Sequence, residues 1–174
     1  VSSAATSAVT NVNDAPTITT STSLSTDEDT ATAAMAFSGT DVDGDSLTFS
    51  FSDPAKGTVT NNDDGTFTYT PNANVNGSDS FTITVNDGTV DVTETVNVAI
   101  AAVNDAPTIS TTTSLSTDED TAIAAIAFSG ADVDGDDLTF TFSDPTKGTV
   151  TDNNDGTFSY TPDADLNGTD SFTI

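Results

Sequence analysis

Hydrophobic residues alternate with threonine and serine along most of this chain. Leu47 and Phe49 are separated by a single polar residue, and Phe81, Ile83 and Val85 repeat the pattern. A period of two predicts strands that bury one face and expose the other. No segment sustains an apolar period of 3.6 residues, so we expect essentially no α-helix.

Turn residues divide these alternating stretches at short intervals. Asp64-Gly65 and Asp87-Gly88 have the Asp-Gly chemistry of tight hairpin turns. Short strands separated by turn signals every 8–12 residues or so are typical of an antiparallel β-sandwich. We therefore predict an all-β fold. The expected strands cover residues 17–25, 30–37, 47–51, 58–60, 67–70, 81–85 and 90–100.

The whole pattern is written twice. Asn13-Asp14-Ala15-Pro16 recurs as Asn104-Asp105-Ala106-Pro107, an offset of 104 − 13 = 91 residues, and residues 13–83 match residues 104–174 at 56 of 71 positions without a gap. We predict two tandem domains. Residues 13–103 form repeat 1, residues 104–174 form repeat 2 without its last strand, and residues 1–12, which align with residues 92–103, are the last strand of a preceding repeat.

The absent last strand of repeat 2 predicts an unpaired sheet edge. Such an edge is a template for a strand from another chain. One hypothesis is that residues 1–12 of a neighbouring molecule complete repeat 2, which would give a homo-oligomer or a filament. The alternative is that the ends of the sequence are arbitrary boundaries.

Charge and composition narrow the class of partner. The formal net charge is −26, with Lys56 and Lys147 as the only basic residues. This balance excludes binding to nucleic acid or to an anionic membrane surface through basic side chains, and it favours cations. The chain has no cysteine and no histidine, so disulfides and the commonest soft-metal ligand are absent. No run approaches the roughly 18 apolar residues of a membrane span.

The acidic residues are concentrated in turns. Because successive strands alternate in direction, alternate turns meet at the same end of a sandwich. The acids at the far end of repeat 1, the Asn-Asp joint and the acids at the near end of repeat 2 should therefore converge. Carboxylates without basic partners need a cation, and hard oxygen ligands favour Ca²⁺. The candidate metal ligands are Asn13, Asp14, Asp27, Glu28, Asp29, Asp41, Asp43, Asp45, Asp87, Asn104, Asp105, Asp132, Asp134 and Asp136.

Not every acidic turn is a candidate. Asp and Gly are common turn residues, and for Asn61–Gly65 we favour the turn alone. The Asp-Val-Asp-Gly-Asp loops place three acids in five residues, which favours metal binding. They are not EF-hands, because Gly44 is fourth from Asp41 and the twelfth residue is Ser52.

Taken together, the motifs resemble a known family. Asn-Asp-Ala-Pro, Asp-Glu-Asp, Asp-Val-Asp-Gly-Asp, Gly-Thr-Phe-Thr-Tyr-Thr-Pro and Asn-Asp-Gly look like the cadherin-like tandem repeats of large bacterial surface adhesins, including their biofilm extender repeats. The resemblance covers the whole chain. It implies seven-stranded Greek-key, Ig-like sandwiches, an extracellular location at a bacterial surface, and Ca²⁺ at each inter-domain joint.

The resemblance also implies roles for individual residues. Glu28 or its neighbours match the acid at the foot of the first strand, Asn104-Asp105 match the linker ligands, and Asp132 and Asp134 match the Asp-x-Asp of the following domain. Asp87 matches the late aspartate that serves the preceding joint at Asn13-Asp14. Ala102 and Ala106 stand where animal cadherins have further linker oxygens, so we expect one or two ions per joint.

These observations favour a structural role: a calcium-rigidified extender segment of an adhesin or extracellular filament that contacts neighbouring repeats of its own polypeptide and acts in adhesion or biofilm formation. We expect no catalytic residues. Alternatives are a module that binds glycans or another cell surface, and an accessory module of a secreted enzyme. A sugar site usually has an exposed aromatic platform, whereas the chain has no Trp and we expect Tyr69 and Tyr160 to face inward.

Overall fold

The chain divides into two units. The computed structural model describes residues 10–174. Unit 1 ends at Val103, and unit 2 comprises Asn104–Ile174. Most of the predicted strand over residues 1–12 lies outside the described residues. Within residues 10–174 the regular secondary structure consists of β-strands without helices, as the period of two predicts.

Unit 1 is a sandwich of two four-stranded sheets. One sheet has the order β1-β3-β6-β5 and the other β2-β8-β7-β4. The strands are β1 (Thr17–Thr20), β2 (Ser23–Asp27), β3 (Met35–Thr40), β4 (Thr48–Phe51), β5 (Gly57–Asn61), β6 (Thr66–Pro71), β7 (Gly77–Asn86) and β8 (Asp91–Ala101).

Aromatic rings join the two sheets of unit 1. The Phe37 ring on β3 meets the Phe49 ring on β4 edge-on at a centroid distance of 4.9 Å, and Phe67 on β6 meets Phe81 on β7 at 5.5 Å. Edge-to-face pairs are favoured by the ring quadrupoles and bury large apolar areas. Phe67 and Ile83 are 0 % exposed, so the alternating residues identified in the sequence do form the core.

The first predicted strand is in fact two strands. Residues 17–25 have a continuous pattern of threonine and serine, but β1 pairs with β3 in one sheet and β2 pairs with β8 in the other. The chain changes sheet at Ser21-Thr22, and the Ser21 hydroxyl donates to the Ser23 carbonyl at 3.0 Å within this crossing. Sheet exchange of this kind brings β2 beside the last strand of the unit.

The last strand, β8, completes the core of unit 1. It runs parallel to β2 and antiparallel to β7, with Val98 opposite Leu24 and Val96 opposite Phe81. Val96 is 0 % exposed and Ile100 is 5 % exposed. The second sheet is therefore built around β8.

Unit 2 has one regular sheet, with the order β11-β12-β10-β9. The strands are β9 (Thr108–Thr111), β10 (Ile123–Ala131), β11 (Gly148–Asp152) and β12 (Thr157–Pro162). β10 begins earlier than β3 does in unit 1 and carries a register shift between Ile123 and Ile126, with Ala125 at φ 55°. Such a bulge bends the strand at the point where unit 1 has irregular chain.

The second sheet of unit 1 has no regular counterpart among the described residues of unit 2. Residues 168–174 correspond to the first part of β7, yet they are not in a strand; Ser143 N–H still donates to the Thr173 carbonyl at 3.0 Å. The aromatic cluster is retained, because Phe128 and Phe140 meet at 4.8 Å as Phe37 and Phe49 do. Within the described residues of unit 2, the aromatic contacts are therefore present and the ladder of the second sheet is not.

Candidate metal centre

The loop after β3 presents three carboxylates. Asp41 Oδ1 accepts hydrogen bonds from the backbone N–H groups of Asp43, at 2.8 Å, and Asp45, at 3.3 Å. Gly44 has φ +78°, a left-handed conformation that glycine adopts without strain. The tight turn leaves one oxygen each from Asp41, Asp43 and Asp45 within 4.8 Å of one another.

The entry segment of unit 1 is bonded to this loop. Asp43 Oδ2 accepts the backbone N–H of Asp14 at 2.7 Å, and Asp43 Oδ1 accepts the Asn11 side-chain amide at 2.8 Å. Asp43 therefore fixes the position of the segment that leads into β1. The Asp-x-Asp spacing allows this, because Asp41 organises the loop and Asp43 is free to face the entry segment.

A fourth carboxylate, that of Asp87, contacts the entry segment. It follows β7, is 7 % exposed, and its Oδ2 accepts the Asn13 side-chain amide at 3.0 Å. Its Oδ1 accepts the backbone N–H groups of Thr89 and Val90, both at 2.7 Å. The bond from Asn13 and then the bond from Val90 lower the pKa of Asp87 below its ordinary value, so it stays ionised at neutral pH.

The residues of this cluster fit a hard divalent cation. Asp41 Oδ2 is shielded from solvent and has no hydrogen-bond donor among the described residues. Calcium takes oxygen ligands at about 2.3–2.6 Å, so oxygens on opposite sides of one ion lie about 5 Å apart. One oxygen from each of the three carboxylates lies within 4.8 Å of the others, which is within that span. A cation would also compensate Asp41, because a buried carboxylate oxygen without a partner is costly.

Lysine does not supply the compensating charge. Lys56 Nζ donates to the Asn76 carbonyl at 2.9 Å, in the turn before β7. Lys147 Nζ makes the corresponding bond to the Asn167 carbonyl at 3.0 Å in unit 2. The two basic side chains of the sequence are thus bound to turns of their own units.

Unit 2 repeats the hydrogen bonds of this loop. Asp132 Oδ1 accepts the backbone N–H groups of Asp134, at 2.9 Å, and Asp136, at 3.3 Å, and Gly135 has φ +80°. Asp134 Oδ2 accepts the backbone N–H of Asp105 at 2.7 Å, as Asp43 does with Asp14. The Asn104 amide donates to the Asp105 carbonyl at 2.8 Å. The linker-to-loop contact is therefore a property of the repeat.

The Asp27-Glu28-Asp29 turn has a different arrangement. Glu28 is 2 % exposed, and its Oε1 accepts the backbone N–H of Val103, the last residue of unit 1, at 2.7 Å. Asp29 has φ 58° and accepts the Asn74 N–H at 2.9 Å, while Asp27 ends β2. Glu28 is thus directed at the exit of unit 1, whereas Asp29 holds a neighbouring loop.

The structure brings some of the predicted residues together within each unit. In unit 1 these are Asn13, Asp14, Asp41, Asp43, Asp45 and Asp87, and in unit 2 they are Asn104, Asp105, Asp132, Asp134 and Asp136. Convergence of Glu28 with the acids of unit 2 concerns the arrangement of the two units and stays a prediction. Asn11, which binds Asp43, was not among the sequence candidates.

The sequence candidates also omit a paired tyrosine and aspartate, which we call the clasp: Tyr69 with Asp79 in unit 1. The Tyr69 hydroxyl donates to Asp79 Oδ2 at 2.7 Å, and backbone N–H groups of Ala55, Lys56 and Ser80 donate to the same carboxylate at 2.9–3.1 Å. Tyr160 and Asp170 form the equivalent pair in unit 2 at 2.9 Å. The available signal was a Tyr and an Asp ten residues apart in both repeats.

The clasp shifts the pKa of both partners. Burial, together with the bond to Asp79, raises the pKa of Tyr69 well above its ordinary value. For Asp79, burial acts to raise the pKa, but the hydrogen bonds from Tyr69 and the backbone outweigh it and the pKa is lowered. The same balance lowers the pKa of Asp170 and raises that of Tyr160. The clasp is a structural element that joins the turn before β5 to strands β6 and β7.

Sandwich units with an Asp-x-Asp loop bonded to the entry linker define a cadherin-like module. The family profile of the bacterial cadherin-like domain matches residues 13–102 and again residues 104–174. The chain therefore belongs to the bacterial cadherin-like domain family, as the motifs indicated.

Solved structures with a similar chain course include human protocadherin-24 EC1-2, at 19% identity and TM-score 0.41, covering 88% of this chain and 80% of that one. An endo-fucoidan hydrolase of glycoside hydrolase family 107 matches at 19% identity and TM-score 0.44, covering 86% of this chain and 24% of that one. Domains 4–9 of the surface layer protein SbsC match at 16% identity and TM-score 0.33, covering 92% and 29%. The chain thus spans about a quarter of the hydrolase.

No curated protein matches the chain. In the part of the chain that the structure describes, no helix is long and apolar enough to cross a membrane.

Proposed function

We propose that this chain is a calcium-stiffened extender segment of a bacterial surface adhesin or extracellular filament. The observation that carries the proposal is the Asp41-Asp43-Asp45 loop, which holds three carboxylates together and is bonded to the segment that enters the unit. A cation at this loop would bind the entry segment as well as the sandwich. The direction in which the chain enters the unit would then be fixed.

Several oxygens of unit 1 are candidate ligands for the ion. Among the described residues Asp41 Oδ2 has no hydrogen-bond donor, and Asp43 and Asp45 offer further oxygens within the same 4.8 Å group. Asp87, in the turn after β7, and the carbonyl of Asp14 are both already bonded to Asn13 of the entry segment. When bound, Ca²⁺ would supply strong electrostatic bonding to several oxygens at once, and these residues position and orient those oxygens.

Each unit also bonds its own end of the linker through a carboxylate. Glu28 binds the N–H of Val103, and within unit 2 Asp134 binds the N–H of Asp105.

The charge of the chain favours the same function. A net charge of −26 makes the units repel each other and themselves. Family members are typically extracellular, where Ca²⁺ is abundant, and extracellular modules bind it at roughly 10⁻⁴–10⁻³ M. We propose a non-catalytic role that acts through contacts with neighbouring repeats, because the acidic pairs lie in turns and are bonded to backbone N–H groups.

Thermal unfolding with and without Ca²⁺ tests this function. At roughly 10 mM Ca²⁺, ten to a hundred times the dissociation constant, binding should stabilise the native state by about 1.4–2.7 kcal/mol per site. Asp43→Asn removes a charge and one of the two acceptor oxygens of Asp43, so we expect unit 1 to lose most of its calcium-dependent rise in Tm.

The matched control is Asp64→Asn. Asp64 lies in a hairpin turn, where its Oδ1 accepts the Thr66 N–H at 2.9 Å, and an asparagine can accept the same bond. Its calcium response should equal that of the unmodified chain. An unmodified chain whose Tm and small-angle scattering are the same in Ca²⁺ and in EDTA would exclude the proposed function.

A further inference from the structure

An early strand of unit 1 lies directly beside the last one. β2 runs parallel to β8, in a register that pairs Ser23 with Asn97 and Asp27 with Ala101. β2 is the second strand of the unit, and β8 is the strand that ends just before the unit does, at Val103. Backbone hydrogen bonds between parallel strands therefore join the part of the chain that enters the unit to the part that leaves it.

Further hydrogen bonds extend this ladder at both ends. Before β2, the Thr22 carbonyl accepts the backbone N–H of Asn97 at 3.0 Å and the Asn97 side-chain amide at 3.4 Å. After β2, the Glu28 N–H donates to the Ala101 carbonyl at 2.9 Å, and Glu28 Oε1 accepts the N–H of Val103 at 2.7 Å. We call this extended ladder the clamp; it comprises residues 22–28 and residues 97–103.

One side of the clamp is shielded from water. Leu24 of β2 is 6% exposed and lies opposite Val98 of β8, which is 2% exposed. Glu28 is 2% exposed, so water has little access to its bond with Val103. A carboxylate oxygen also makes a stronger hydrogen bond than a neutral acceptor does. The exit end of the clamp is therefore closed by a shielded side-chain bond.

The direction of the two strands decides how tension acts on the clamp. Tension along the polypeptide pulls β2 from its N-terminal end and β8 from its C-terminal end. Because the strands are parallel, these two points lie at opposite ends of the pair, and the strands are pulled past each other along their length. All hydrogen bonds of the ladder then carry the force together. A pull on both strands from the same end would break the bonds one after another.

The position of β8 inside its sheet adds to this resistance. On its other side β8 pairs with β7, from Gly77 opposite Ile100 to Asn86 opposite Asp91. A strand that is bonded on both sides cannot peel away as an edge strand can. The sheet therefore yields to tension only when β2 slides along β8 or when β8 leaves both partners.

We propose that the clamp is the force-resisting element of the repeat: the parallel pair of β2 and β8, closed at its exit end by Glu28, sets the force at which unit 1 unfolds. The inference rests on the proposed function, because an extender that lies in series along an adhesin or filament carries tension from one end to the other. It gives Glu28 a role that needs no ion, since its side chain bonds the last residue of the unit to the end of β2.

Single-molecule force spectroscopy of the full chain in EDTA tests the proposal. The chain has no cysteine, so two introduced thiols define where force is applied. Thr22→Cys with Val103→Cys pulls the clamp from opposite ends, and position 22 follows β1, so the pull acts on β2 directly. Thr30→Cys with Val103→Cys pulls it from one end, because Asp27 pairs with Ala101. We expect the first geometry to need at least about twice the force of the second, since it loads the whole ladder at once.

The released length identifies the unfolding of unit 1 in the first geometry. The two attachment points are 103 − 22 = 81 residues apart. At about 3.3–3.6 Å per residue, the extended segment measures about 270–290 Å. Events that approach this length are counted as unfolding of the unit.

Glu28→Ala tests the closing bond in the first geometry. At constant force the lifetime of unit 1 should shorten at least about tenfold, because a hydrogen bond to a shielded charged acceptor is lost. The matched control is Asp64→Asn, in a hairpin turn outside the clamp, which should leave the lifetime unchanged. The comparison of the two pulling geometries keeps Glu28, so it decides the proposal even where Glu28→Ala does not fold.

Equal unfolding forces in the two geometries, or an unchanged lifetime for a folded Glu28→Ala chain, would overturn the proposal. The use of EDTA separates this outcome from a failure of the proposed function, because the clamp is built from protein groups alone and the calcium function is tested by Tm. A chain whose Tm does not respond to Ca²⁺ but whose two geometries differ twofold would lose the calcium role and retain the clamp.

Discussion

Removal of one hydroxyl from the clasp of unit 1 should measurably destabilise that unit. Tyr69→Phe deletes the bond of 2.7 Å to Asp79 Oδ2 and leaves the ring in place, stacked on Phe81 at a centroid distance of 6.2 Å. Asp79 keeps its three backbone donors, from Ala55, Lys56 and Ser80. The substitution therefore isolates one charge-assisted hydrogen bond without creating a cavity.

The magnitude follows from the burial of the two partners. Hydrogen bonds to charged groups contribute about 1.5–3 kcal/mol. Tyr69 is fully buried, but Asp79 is only half-buried and keeps its other hydrogen bonds. Screening by solvent therefore lowers the expected loss in the free energy of unfolding to about 1–2 kcal/mol. For a unit of this size, each kcal/mol changes Tm by about 4–8 °C. The expected decrease in Tm is therefore about 4–16 °C.

Scanning calorimetry at pH 7 and fixed Ca²⁺ gives the measurement. The control is Tyr160→Phe, the same substitution in unit 2, where Tyr160 is half-buried and its bond to Asp170 is longer, at 2.9 Å. Its effect should be smaller than that of Tyr69→Phe. A Tyr69→Phe chain with unchanged Tm, or a larger effect from Tyr160→Phe, would refute the reasoning that burial gives the clasp its strength.

Two further predictions concern the core and pH. Ile83→Ala should lower the free energy of unfolding in urea by about 2–5 kcal/mol, because Ile83 is 0 % exposed. Ile174→Ala, at the half-buried equivalent position, should lower it by less than half as much. Equal losses would contradict the difference in packing. Because the pKa of Asp79 is lowered in the folded state, its contribution to the stability of the fold is complete above about pH 4 and is lost as the pH falls. Because the pKa of Tyr69 is raised, its contribution is complete below about pH 10 and is lost as the pH rises. Since the chain has no histidine or cysteine, its Tm should not change between roughly pH 6 and 9. Above that range the Tm of the Tyr69→Phe variant should fall less steeply than that of the unmodified chain. An equally steep fall would contradict the role given to the clasp.

Period-two alternation was enough to predict the strands and much of the core of unit 1. Phe81, Ile83 and Val85 alternate with polar residues in the sequence and are all buried in β7. The hairpin at Asp64-Gly65 was equally readable, since Gly65 has φ +83°. In these places local preference and tertiary packing agree, so a local pattern suffices.

The change of sheet within residues 17–25 could not be read from the sequence. Ser21 and Thr22 continue the run of small polar residues, and nothing local distinguishes a straight strand from a crossing. Pairing partners far along the chain could not be read from the local pattern either. Residues 81–83 are in a strand that pairs with residues 94–96 of β8. Long-range pairing decides the outcome there.

The candidate site was predictable in type and less so in detail. The Asp-x-Asp loop and the Asn-Asp linker stand out because they recur 91 residues apart and contain so many acids. Asn11 does not recur, since Ala102 occupies the equivalent place, so the repeat concealed its contact with Asp43. Asp79 recurs as Asp170, but it lies in a strand and not in an acidic turn, so its pairing with Tyr69 was not predicted.

The most direct test of the calcium account is a crystal structure of the chain grown in millimolar Ca²⁺, with anomalous diffraction recorded at long wavelength. The account predicts an anomalous peak bonded to oxygens of Asp41, Asp43 and Asp45 at about 2.3–2.6 Å, and an equivalent peak at Asp132, Asp134 and Asp136. A map without anomalous density at either loop, with these carboxylates in contact only with water, would contradict it.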